Sequence, residues 1–411
     1  MRLLPTLIAA SIAAAALAAD NWTEFRGPNG TGIAPAATPP GRWSETENVR
    51  WKTPIHDKGW SSPVVWGDQV WLTTATADGK HLYAVCVEGP TGKVLHDIKL
   101  FDVEKPGFCP PTNSYATPTP AIEDGRVYIH FGSYGTACLD TASGKTLWSR
   151  RDLPCDHWRA PASSPILYKG LLILQFDGHD FQYVAALDKL TGQTVWKKDR
   201  DIDYGTQDGD LKKAFSTPAV IEVDGKPELV SPAAVATTAY DPLTGEQLWR
   251  VYHGGMNAAE RPLYGHGRVF LTTGDGGIHL FAVRPEGTGD ITRNIDWKAG
   301  KGVPGHPSPI LVGDLLYMGS EGGIVTALEA RTGALVWQQR LDGQFWASPI
   351  CADSRLYFPN DAGETYVLEP GKEYKALAVN KLDDGCMASP AAVGKQLFLR
   401  TKTNLYCLEQ K

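Results

Sequence analysis

The sequence predicts an all-β chain folded as an eight-bladed β-propeller of four-stranded antiparallel blades. Three observations carry that expectation: a start signal that recurs eight times, a closing signal that ends most of the same units, and a spare closing strand near the N-terminus.

The start signal is Ser or Thr before Pro, followed by apolar residues, a Gly or Asp turn and a β-rich run. It reads Ser62-Pro63, Thr117-Pro118, Ser164-Pro165, Thr217-Pro218, Ser308-Pro309, Ser348-Pro349 and Ser389-Pro390, with Arg261-Pro262 as a degenerate eighth. The closing signal is an acidic residue, a turn ending in Gly, and then Trp. It runs from Asp140 to Trp148, Asp188 to Trp196, Asp241 to Trp249 and Glu329 to Trp337. Trp297 follows Asp296 without the turn. The first unit has His96 where Trp is expected, and the seventh keeps only the stretch from Glu373 to Leu377.

A lone four-stranded sheet cannot bury both faces, so such units stack radially. In the closing turn Gly supplies a positive φ, and the Trp is a wedge between neighbouring blades. The eighth unit, Ser389 to Glu409, has room for only three strands. Asn48 to Lys52 carries the unclaimed Trp51. The N-terminal strand is therefore expected to complete the last blade, which removes an open sheet edge. A ring of seven blades, with Arg261 to Trp297 as an insertion, is the alternative.

Of the 411 residues, Lys and Arg number 40 against 46 Asp and Glu, a net charge of −6. That balance offers no basic surplus for a nucleic acid. Arg2, the apolar run Leu3 to Leu17 and the Ala16-Leu17-Ala18 site read as a secretory signal. The expected organisation is a signal peptide at 1–19, an N-terminal extension at 20–45 and a single propeller domain at 46–411. No Cys follows the signal to carry a lipid. The product is expected to be monomeric and periplasmic or secreted, with no transmembrane segment after cleavage.

Cys86, Cys138 and Cys407 each stand two residues before the acidic residue that ends a strand, where Ala186 and Ala327 stand in other units. They read as small core residues. Cys109 and Cys155 fall in loops before successive units and are a candidate disulfide in an oxidising compartment.

The two signals resemble the repeats of the pyrroloquinoline-quinone-like (PQQ-like) propellers. The stretch from Trp22 through Phe25, Arg26, Gly27, Pro28 and Gly30 to Gly32 resembles the opening of exported members similar to the outer-membrane assembly subunit. The resemblance implies a quinoprotein-like fold over nearly all of the mature chain, and fold alone does not fix activity. In the quinoprotein alcohol dehydrogenases it implies PQQ beneath two adjacent cysteines, with Ca²⁺ held by Glu, Asn and Asp. This chain has no adjacent cysteines.

The loops before the start signals are expected to meet at one end of the central channel. Candidate ligand-binding residues at that mouth are Trp60, Tyr115, Trp158, Arg159, Phe215, Asn257, Glu260, Arg261, His306 and Trp346. Regularly spaced aromatics also serve the repeat, so Arg159, Asn257, Glu260, Arg261 and His306 are the sharper candidates. Asp199, Asp201, Asp203 and Asp210 approach the spacing of a calcium loop, but Tyr204 stands where that loop needs Gly. A solvated acidic loop is the competing reading.

No nucleophile elbow, zinc helix or phosphate loop is present, and no catalytic residue is assigned. The reading is a non-catalytic binding or scaffolding module of the cell envelope, with a protein or polysaccharide partner and no cofactor. The alternative is an atypical oxidoreductase using PQQ and Ca²⁺, in which Arg159, Lys213 or Arg261 would meet the cofactor carboxylates.

Overall fold

In the computed structural model, which describes residues 21–410, each start signal leads into a short innermost strand. Blades 1 to 8 begin with Val64–Trp66, Ala121–Glu123, Ile166–Tyr168, Ala219–Val223, Leu263–Gly265, Ile310–Val312, Ile350–Ala352 and Ala391–Val393. Each is the first strand of an antiparallel four-stranded blade, and the described residues form eight such blades, two of them extended by a fifth, parallel strand. The irregular unit that follows Arg261 is a full blade, ending in Ile295–Ala299, so the ring has eight members rather than seven. The region assigned to a signal peptide lies outside the described residues. Among the described residues, no helix is long and apolar enough to cross a membrane.

The second start is shifted by one dipeptide. The ladder opens at Ala121, which makes Thr119-Pro120 the start rather than Thr117-Pro118. Both dipeptides satisfy the motif in sequence, and only strand pairing distinguishes them.

Four of the closing Trp rest on the turn of the next blade, while Trp249 donates to Glu228 Oε2 of its own blade at 2.7 Å. Trp148 donates to Lys189 O at 3.0 Å, Trp196 to Pro242 O at 3.1 Å, Trp297 to Ala330 O at 3.1 Å and Trp337 to Gly371 O at 3.0 Å. The glycine of that turn has two jobs. Gly192 has a φ of +72°, and a Cβ there would sit 2.6 Å from the Trp148 ring. The Asp that opens the turn fixes it locally: Asp188 accepts from the Thr191 amide at 2.8 Å and its hydroxyl at 2.9 Å.

The small residues also find their reason here. Cys138, Ala186, Ala239, Ala282, Ala327 and Cys407 lie directly across the ladder from Trp148, Trp196, Trp249, Trp297, Trp337 and Trp51. Blade 7 inverts the pair, with Ala378 opposite Val367. Its neighbour, blade 8, joins its third and fourth strands from opposite ends of the chain and so has no turn to receive an indole.

Blade 8 is closed by Val49–Pro54, which pairs antiparallel with Asn404–Glu409. Trp51 then reaches blade 1, donating to Gly89 O at 2.7 Å, and Thr53 donates to Gly92 O at 2.6 Å. On the inner side of the same seam, Arg400 donates to Ser61 O at 3.1 Å, Ser61 Oγ at 2.7 Å and Thr73 O at 2.7 Å.

Residues 21 to 45 are built into the ring rather than trailing from it. Trp22 bridges Val65 in blade 1, and Ile122 of blade 2 donates to Thr23 O at 2.8 Å. Ile33–Ala34 runs parallel to Cys351–Ala352 in blade 7. Trp43 stacks on Tyr357 with centroids 6.3 Å apart. This segment plugs the channel by using the free edges of its innermost strands.

The two free-standing expectations about loops need correction. Cys109 and Cys155 are both free thiols. Cys155 is buried in the blade 2–blade 3 core beside His157, while Cys109 packs against the blade 1–blade 2 core. The four aspartates do not converge either. Asp199 pairs with Lys197 at 2.8 Å, Asp203 caps its own turn through the Gly205 amide, and Asp210 turns to Lys213. No partner of Asp201 brings it to them, and among the described residues no three His, Cys, Asp or Glu side chains group as metal ligands would.

Candidate functional site

The Ser and Thr of the start signals form a belt around the channel. Each backbone amide donates to the hydroxyl of the next blade: Ser62 to Thr119, Thr119 to Ser164, Ser164 to Thr217, Arg261 to Ser308, Ser308 to Ser348, Ser348 to Ser389 and Ser389 to Ser62, all at 2.9–3.1 Å. The belt breaks only where blade 5 has Arg261, which lacks a hydroxyl to accept with.

Three residues before each proline, the belt points one side chain per blade at the axis. In ring order these are Trp60, Thr117, Ala162, Phe215, Ala259, His306, Trp346 and Met387, and all of them line a funnel of about 980 Å³ including its open mouth. Phe25 from the plug joins that lining and closes the inner end. Blades 6, 7, 8 and 1 give one bulky arc. Blades 2 to 5 give a roomier arc in which Asn113, Arg159, Asn257 and Asp275 supply polar groups.

Of the residues singled out in sequence, Trp60, Arg159, Phe215, Asn257, His306 and Trp346 come together here. Tyr115 does not. It is buried and donates to Gly107 O at 2.6 Å, having been placed at the mouth by the wrong dipeptide. Glu260 is buried in its own blade, where it accepts from the Thr272 amide at 3.0 Å and hydroxyl at 2.6 Å; burial raises its pKa to about 6. Arg261 faces the plug, donating to Phe25 O at 2.7 Å and pairing with Glu24 at 3.3 Å. Trp158 stands outside the funnel, 45% exposed, against Phe108 and His179.

Thr117 is the repeat position that the correct blade 2 alignment exposes, and Ala162, Ala259 and Met387 hold the same place in blades 3, 5 and 8. Asn113, Asp275 and Phe25 lie off the repeat and carry no sequence signal of their own.

His306 is the titrating group of this site. Its Nδ1 lies 2.5 Å from Glu321 Oε1. Burial works to lower the His306 pKa, but the hydrogen bond and charge of Glu321 outweigh it and the net shift is upward; Asp275 adds to it and Arg159 opposes it. Burial likewise works to raise the Glu321 pKa, and His306 outweighs that, leaving it lowered. The pair's stabilisation is therefore lost as pH falls through the lowered Glu321 pKa and as pH rises through the raised His306 pKa. An NMR titration is expected to place His306 above the ordinary histidine range. In Glu321→Gln it should fall below that range, because burial, the largest influence, is then opposed only by the charge of Asp275. An unshifted titration in the variant contradicts the pairing.

The fold and site define an eight-bladed quinoprotein-type propeller whose channel is plugged from within and open at one end as a funnel. A family model described as outer membrane protein assembly factor BamB matches residues 42–220 and 180–411, and the chain belongs to that family. It is 24% identical over 298 residues to the BamB of Shewanella oneidensis, covering 67% of this chain and 69% of that one. Among solved structures it resembles BamB from Moraxella catarrhalis, with a TM-score of 0.61, 13% identity and coverage of 88% of this chain and 98% of that one. It also resembles quinohemoprotein alcohol dehydrogenase ADHIIG from Pseudomonas putida HK5, with a TM-score of 0.68, 12% identity and coverage of 98% and 82%. These structural likenesses concern the fold.

Proposed function

We propose that the protein is an exported, non-catalytic binding module of the cell envelope that holds a protein or polysaccharide partner at the funnel. The plugged channel carries this reading: it turns a through-hole into a one-ended recess with an apolar arc and a polar arc, the form of a binding site. The family points the same way, since its members are named as outer membrane assembly factors.

The quinone alternative has less support. The funnel's cationic side chains are already matched: Arg159 with Asp210 at 3.7 Å, His306 with Glu321. Lys213 is committed to Asp210 and Arg261 to the plug. Among the described lining residues that leaves no cationic set for the carboxylates of a quinone cofactor, and among the described residues the carboxylates do not group for calcium.

The test is site-specific photocross-linking in the producing cell's envelope. A benzophenone side chain at position 346 is expected to form an adduct, and one at position 335 on the outer edge of blade 6 is not. Adducts at neither position, or equally at both, would remove the funnel reading.

A further inference from the structure

We infer that the funnel and the aromatic ridge beside it form a binding track for an uncharged oligosaccharide. This deepens the proposed function and rests on the funnel being its binding site.

Three observations on the funnel point to that chemistry. The first is its division into faces. His306 and Trp346, with ring centroids 5.2 Å apart, continue through Met387 to Trp60 as a wall rich in ring faces. Opposite stand Asn113, Asn257, Arg159 and Asp275 among small residues. A pyranose ring has the same division, an apolar C–H face that stacks on aromatic rings and a rim of hydroxyls that both donate and accept.

The second is unmet hydrogen bonding. Trp60 Nε1, Arg159 Nε and Asn257 Oδ1 are shielded from solvent and have no partner in the folded chain. Two are donors and one is an acceptor. Asn257 is only 4% exposed, and its amide nitrogen is spent on Asp275 at 3.0 Å. Buried polar groups left this way are costly unless something fills them. Neighbouring hydroxyls, which serve in both roles, meet such a mixed set where a carboxylate could not.

The third is charge and edge. The two cationic side chains lining the recess, Arg159 and His306, each already face a carboxylate, so an anionic ligand would find no surplus cation among the lining residues. An extended peptide adding as a strand needs a free sheet edge. In blades 1, 2 and 7 the plug already occupies those edges, at Val65, Ile122 and Cys351–Ala352.

The ridge extends the site beyond one sugar ring. Trp158 is 45% and Phe108 55% exposed, and their centroids are 6.0 Å apart beside the funnel residues Arg159 and Pro110. Trp158 sits at a φ of +54, a backbone region costly for a bulky residue. Its amide is held there by Asp156 Oδ1 at 2.9 Å. Strained backbone that displays an aromatic to solvent marks a contact surface.

The test is a titration of the full mature chain with maltohexaose, cellohexaose, xylohexaose and chitohexaose, followed by tryptophan fluorescence and calorimetry. An oligogalacturonate hexamer and an unstructured peptide are run alongside. At least one uncharged hexasaccharide is expected to bind and to quench fluorescence. Trp346→Ala and Arg159→Ala should each weaken it at least tenfold, and Trp158→Ala several-fold for the hexamer but not for the matching disaccharide. Leu335→Ala, on a distant outer strand, should leave it unchanged. Melting curves identify any variant that has lost its fold. Binding of none of the four neutral sugars, binding only of the acidic sugar or the peptide, or binding indifferent to Trp346→Ala, each overturns the proposal. A funnel-specific cross-link at position 346 together with no sugar binding would keep the proposed function and discard the saccharide.

Discussion

Deleting residues 46–54 is expected to abolish the cooperative unfolding of the native ring, and Trp51→Ala alone to lower its thermal midpoint by about 5 °C. The deletion strips Asn404–Glu409 of its outer partner and exposes that edge. It also removes every contact that Trp51 and Thr53 make with Gly89 and Gly92 of blade 1. The single substitution loses only the indole. Truncating a buried Trp to Ala costs about 3–5 kcal/mol. Spread over the unfolding entropy of a chain this size, that cost gives the stated fall in midpoint of about 5 °C. Arg400 still ties the inner side of the seam in both variants, so residual structure in the deletion should lie in blades far from blades 8 and 1. Re-attaching Asn48 to Pro54 after Glu409 through a copy of the Asp140–Lys145 turn should restore the transition. Calorimetry on the three chains reads this directly; an unchanged curve for the deletion means the ring does not depend on its latch.

That latch was legible in the sequence because it belongs to the repeat: seven closing positions were accounted for and Trp51 was left over. The belt hydroxyls and the docking tryptophans were legible for the same reason, since each is the same contact made in successive blades. Legibility ended where the repeat ended. Thr117-Pro118-Thr119-Pro120 offers two equally good starts, and choosing the first moved Tyr115 to the mouth and hid Thr117. Glu260 and Arg261 break the pattern, which is why they stood out, but they break it to serve Thr272 and the plug. The acidic loop had the spacing of a calcium site in one dimension, while in space its carboxylates turn to Lys197, Gly205 and Lys213. Trp22 to Gly32 was recognisable as a motif without revealing its place, because most of its contacts are to backbone carbonyls and amides that have no signature in sequence.

The residue on which the plug depends is Arg26. It is fully buried and donates to Gly30 O at 3.2 Å and Thr31 O at 3.1 Å within the plug, and to Ser308 O at 3.1 Å and Pro309 O at 2.7 Å in blade 6. Burial, and then the nearby Arg261, lowers its pKa to about 9, still high enough to keep the guanidinium charged at neutral pH. Arg26→Met fills the space yet leaves those carbonyls without a donor. Each unsatisfied buried group costs about 1–3 kcal/mol, so a total loss of about 3–5 kcal/mol is expected after partial relaxation. Arg26→Lys should recover only part of it, because an ammonium cannot present the planar fork that reaches carbonyls on both sides. The consequence reaches the funnel through the adjacent Phe25, which forms its floor. Arg26→Met should therefore lower the melting midpoint and open the 21–34 segment to protease, with ligand affinity falling alongside. Phe25→Ala should change affinity with much less effect on melting, since Arg26 still anchors the plug. Protease mapping and calorimetry on the two variants separate anchoring from lining, and a protease-resistant, normally melting Arg26→Met would show that the plug is held by its strand pairing alone.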